Sequence, residues 1–75
     1  MIKWKLVRSG NYGYKLWVGK YGKFSMSIHK YGDRFGLFYE VYTDNLILAK
    51  GQLLNEDIEI CKKLAEFAAK ELYSL

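Results

Sequence analysis

Residues 24–29 read Phe-Ser-Met-Ser-Ile-His, apolar and polar in strict alternation, and this period of two constrains the chain more than any other feature. Only an extended strand sends every second side chain to the same face, so Phe24, Met26 and Ile28 face a core while Ser25, Ser27 and His29 face away. The unit Lys-Tyr-Gly precedes the run at Lys20–Gly22 and follows it at Lys30–Gly32. Glycine adopts the left-handed backbone that tight turns require, so both copies read as turns between strands.

The same period recurs in Ile2 to Arg8, in Tyr12 to Val18 and in Phe35 to Tyr42. Turns at Ser9–Asn11, Gly19–Gly22 and Lys30–Arg34 then join four strands in an up-and-down order. In the second strand Tyr14, Leu16 and Val18 are assigned inward, with Lys15 and Trp17 on the other side. Thr43-Asp44-Asn45 is a further turn, and Leu46 to Lys50 reads as a short fifth strand stopped by Gly51. A three-residue loop there turns Ile47 and Ala49 to the core and Leu46 and Leu48 outward, whereas a two-residue loop reverses all four. From Glu56 to Tyr73 the apolar residues recur at helical spacing, with Asn55 as N-cap, Glu56, Asp57 and Glu59 at the positive end and Lys70 near the negative end. The fold class is α+β: a four- or five-stranded antiparallel β-meander (2–50) with one C-terminal helix (56–73) packed on one face. These two layers form a single domain over residues 1–75.

With 75 residues, 51% of them apolar and 17% aromatic, the chain is expected to fold around one small core. The single cysteine excludes an internal disulfide and a Cys-based zinc site. No run approaches the ~20 apolar residues of a membrane span, and Met1 to Gly10 lacks a leader-like apolar stretch, so a cytoplasmic location is expected. No cofactor motif is present. Gly19 to Lys23 contains Gly-x-x-Gly-Lys, but a phosphate loop needs longer spacing and a following helix, and here a strand follows. Cys61 falls on the apolar helix face and reads as a core residue. Ser25, Ser27 and His29 share a strand face, yet side chains at i and i+2 stand roughly 6–7 Å apart, beyond hydrogen-bond reach. No catalytic residue, metal ligand or enzymatic role is therefore assigned.

Charge divides along the chain. Eight Lys or Arg up to Arg34 oppose Asp33 alone, whereas from Phe35 onward four Lys oppose seven acids. The sheet half is thus basic and the helix half acidic. Interleaved cations and aromatic rings on an uncovered sheet face suit nucleic acid, because cations neutralise phosphates while rings stack on bases. The residues assigned to that task are Lys3, Lys5, Lys15, Trp17, Lys23, Lys30, Arg34 and Tyr42, acting mainly on the backbone. The alternative is a protein-interaction module, a homodimer or a small accessory or inhibitory protein of bacterial or phage type. It would use an apolar outer patch of Trp17, Phe38, Tyr42, Leu46 and Leu48. By element order the chain resembles the integrase arm-binding modules and other sheet-based DNA readers, and also single-strand binders built from four strands and a helix. That resemblance implies a DNA-contacting sheet, covers no residue motif and transfers no binding residue.

Overall fold

The computed structural model of the chain describes residues 2–10, 13–32, 36–54 and 57–74. One sheet holds β1 (Lys5–Ser9), β2 (Tyr14–Tyr21), β3 (Phe24–Tyr31), β4 (Leu37–Thr43) and β5 (Leu46–Leu53) in sequence order, every neighbouring pair antiparallel. Helix α1 (Ile58–Tyr73) crosses one face, chiefly over β3 and β4. The described residues form an α+β two-layer structure with five strands.

Turn length sets the register. Tyr21 pairs with Phe24 across a two-residue Gly22-Lys23 turn, with Gly22 at φ 60°. That pairing puts Trp17 opposite Ile28 and Gly19 opposite Met26, so β2 turns Trp17, Gly19 and Tyr21 toward the helix. Tyr14, Leu16 and Val18, assigned inward from sequence, face the open side instead. A four-residue turn at Gly19–Gly22 would pair Trp17 with Phe24 and give the same parity, so only a loop of odd length would have turned Tyr14, Leu16 and Val18 to the core. Glycine at 19 has a packing reason: the Trp4 ring lies over it, 3.1 Å from where a Cβ would stand.

The β4–β5 turn is likewise two residues, Asp44-Asn45, with Asp44 at φ 53°. A bulge then intervenes: Val41 pairs with Ala49 but Tyr42 with Ile47, leaving Leu48 as the extra residue. Ile47 therefore points outward while Leu48 and Ala49 both pack against the core. Neither simple register describes this strand. Gly51 does not stop it, because the Tyr39 ring from β4 fills the space its missing Cβ leaves, and β5 continues to Leu53.

Met26, Ile28, Leu37, Val41 and Cys61 are the largest fully buried side chains, closed over by Ala65 and Ala69 of the helix. Small residues on α1 let it approach the sheet closely. Asp57 caps the helix, its carboxylate accepting from the backbone N–H of Glu59 at 3.0 Å and of Ile60 at 3.2 Å. The cap thus falls two residues later than the Asn55 assignment, which lies outside the described residues, as does Glu56. Burial in a dry core pushes the Cys61 thiol up to about 11, because the thiolate is poorly solvated there.

Candidate nucleic-acid interface

The face opposite α1 is built from the alternate residues of every strand. At its centre stands His29 on β3. Its Nδ1 lies 3.3 Å from the Tyr14 hydroxyl, and its Nε2 lies 3.3 Å from both Ser27 Oγ and Glu40 Oε1. With the proton on Nε2 the ring donates to Glu40, and Nδ1 accepts from Tyr14. Ser27, buried on this face, also donates to Glu40 Oε1 at 3.4 Å. The expectation that Ser27 and His29 are out of reach is overturned. Glu40 sits directly opposite Ser27 in the register, and the long imidazole reaches diagonally back along β3 toward both.

This cluster holds a histidine in place without activating a serine. In a nucleophilic triad the serine and the carboxylate occupy opposite nitrogens of the imidazole. Here both occupy Nε2, while a tyrosine takes Nδ1.

Aromatic rings extend the cluster. Tyr31 stacks on His29 with centroids 5.7 Å apart and planes 1° from parallel, meets Phe38 edge-on at 5.7 Å and approaches Tyr14 at 5.5 Å. Partial burial, then Tyr14 and Glu40, raise the Tyr31 phenol above its ordinary value of 10.0. A hollow of about 460 Å³ opens beside these rings, lined among others by His29, Tyr31, Phe38, Glu40 and Lys50.

Toward the β1 edge the character changes. Lys3, Lys5, Lys20, Ser25 and Tyr42 line a depression of about 380 Å³ over Val18 and Gly19; among the described residues no carboxylate lines it, while Glu40 and Asp44 line the neighbouring hollow that shares Val18 and Tyr42. Lys20, assigned to a turn from sequence, belongs to β2 and pairs with Ser25. The signal that would have found it is the Gly22-Lys23 pair set tightly between Tyr21 and Phe24, which keeps Lys20 inside the strand.

The other assigned residues separate. Lys3 and Lys5 are exposed at this depression, and Tyr42 borders it. Lys23 lies exposed in the hairpin turn, its Nζ 5.6 Å from the centroid of the Phe24 ring. Arg34 lies outside the described residues. Three assignments are corrected. Trp17 packs with Ile28 on the helix side, and Lys15 and Lys30 pair across β2 and β3 on that same side, because the two-residue turn fixes their parity. The apolar patch is corrected too. Phe38 and Tyr42 remain on the open face, but Leu48 joins the core and Leu46 pairs with Thr43 on the helix side.

Among the described residues no group of three His, Cys, Asp or Glu side chains is placed to hold a metal ion, and no helix is long and apolar enough to cross a membrane. Comparison of the chain with protein-family models, curated proteins and solved structures found no match.

Proposed function

We propose that the chain binds single-stranded nucleic acid along the open sheet face, holding backbone phosphates with lysines and stacking bases on exposed rings, without catalysing a reaction. The observation that carries this reading is the depression that Lys3, Lys5 and Lys20 line together with Tyr42, with no carboxylate among its described lining residues. Cations gathered in one hollow favour a polyanion, whose bound counterions are released as phosphates replace them. Tyr31, half exposed and stacked on His29, offers a ring face further along the same surface. Rings of this kind stack on unpaired bases, since a duplex keeps its base faces covered. Contacts made mainly to the backbone carry little sequence information, so weak base preference is expected.

Fluorescence anisotropy with labelled 12-nucleotide DNA and RNA, single- and double-stranded, tests the reading. Three phosphates held by Lys3, Lys5 and Lys20 give a slope of about −2 in log affinity against log salt for a single strand. Lys5→Glu combined with Lys20→Glu abolishes binding and leaves the circular dichroism unchanged. Absence of binding to every probe at micromolar protein and about 50 mM salt overturns the proposal.

A further inference from the structure

Helix α1 carries more apolar surface than the sheet covers. Cys61, Ala65 and Ala69 form the line buried against β3 and β4. At 100° per residue, Glu66 and Leu64 project to opposite flanks of that line. Glu66 accepts the indole N–H of Trp4 at 2.6 Å, and Trp4 lies over β2, so the Leu64 flank faces the β5 side. Ile60, Leu64 and Phe67 recur along this flank at i, i+4 and i+7, and all are exposed, Phe67 to 64%. Leu54, 78% exposed, stands beside the helix start, and Leu46, 62% exposed, stands at the other end of β5.

We infer that this flank is the interface of a homodimer. At roughly 150–200 Å² for a large side chain, the exposures of Ile60, Leu64, Phe67 and Leu54 leave on the order of 400 Å² of apolar surface. A contiguous patch of that size marks an interaction site, where scattered exposed leucines do not. A stable interface buries about 800 Å² per partner, of which roughly 60% is apolar, so this patch plus a polar border supplies one partner's share. The border has a matching composition. On the same angular count Glu71 falls within this flank and Lys63 at its outer margin, so opposite charges can meet across a two-fold axis. The open sheet face lacks that property, because Lys3, Lys5 and Lys20 would repel their counterparts across a two-fold axis. A two-fold interface uses the same patch on both chains, which a single uncovered helix flank provides. A chain this short also gains core volume by pairing. The inference does not rest on the nucleic-acid reading, since the two surfaces share no residue.

Sedimentation equilibrium of the full chain tests it. The expected result is a species of twice 8.8 kDa at tens of micromolar. Phe67→Glu weakens self-association by roughly 100-fold or more, as loss of a central aromatic anchor does. Ile60→Lys weakens it in the same sense and serves where Phe67→Glu fails to fold. Tyr42→Ala, on the opposite face, leaves the dimer intact. A monomer at every concentration up to about 100 micromolar overturns the inference. So does a dimer that both helix variants leave unchanged.

Discussion

The two faces of the sheet come from the same strands, residue by residue in alternation, yet they are organised by different forces. On the helix side, Met26, Ile28, Leu37 and Val41 are at most 1% exposed, and volume decides what fits. Trp4 lies over Gly19 and Tyr39 lies over Gly51, each ring occupying space that a side chain would claim. On the open side, buried Ser27 is held by His29 and Glu40, and the rings remain partly accessible. One face is closed by packing and the other is positioned by hydrogen bonds and ring contacts. Substitutions should therefore separate stability from binding according to the face they touch.

The largest expected effect is on the packed face. Met26→Ala or Ile28→Ala should cost about 2–5 kcal/mol, measured by urea denaturation, because each empties a fully buried site. Trp17→Ala belongs with them and should lower stability while leaving nucleic-acid affinity of the folded protein unchanged. A loss of affinity without a loss of stability would return Trp17 to the open face. Gly51→Ala comes next, at about 1–3 kcal/mol, since the new methyl meets the Tyr39 ring. Removing the helix cap with Asp57→Ala should cost about 1 kcal/mol.

On the open face the stability effects shrink. Glu40→Gln should cost about 1 kcal/mol or less, because the amide still accepts from Ser27 or His29 while the charge is lost. The smallest effect at neutral pH concerns Cys61. Its thiol titrates near 11 in the folded chain, above the ordinary 9.0. The unfolded chain releases that proton first, so stability is unaffected below pH 9 and falls as pH rises from 9 to 11. Thiol alkylation at pH 8 should be slow in the native protein and rapid in denaturant. Equal rates would show that the packed face is open to water.

The legible parts of the fold were those with a one-sided pattern. In β3 the inward set is Phe24, Met26 and Ile28, while the outward set holds Ser25, Ser27 and His29. Only one of the two faces can be the core. The helix was legible for the same reason, although its cap shifted to Asp57. The candidate site was read less well because β2 is apolar on both sides. Leu16 and Val18 compete with Trp17 and Tyr21, so composition alone does not choose a face. Pattern alone turns Leu16 and Val18 to the core, whereas the register sets them opposite His29 and Ser27 on the open face. Lys15 and Lys30 moved with Trp17, and Lys20 entered the site in their place.

Sequence by itself determined the element order, the antiparallel meander, the covering helix and the division between a basic sheet half and an acidic helix half. These follow from local periodicity and from charge, which need no partner strand to be read. Tertiary structure decided which faces β2 and β5 present, how the bulge at Leu48 splits its neighbours, and where the exposed apolar surface lies. The physical reason is that side chains alternate with a period of two, so one residue more or less in a turn or bulge moves a whole strand's set across the sheet. Two-residue turns at Gly22-Lys23 and Asp44-Asn45, together with ring packing over Gly19 and Gly51, made that choice.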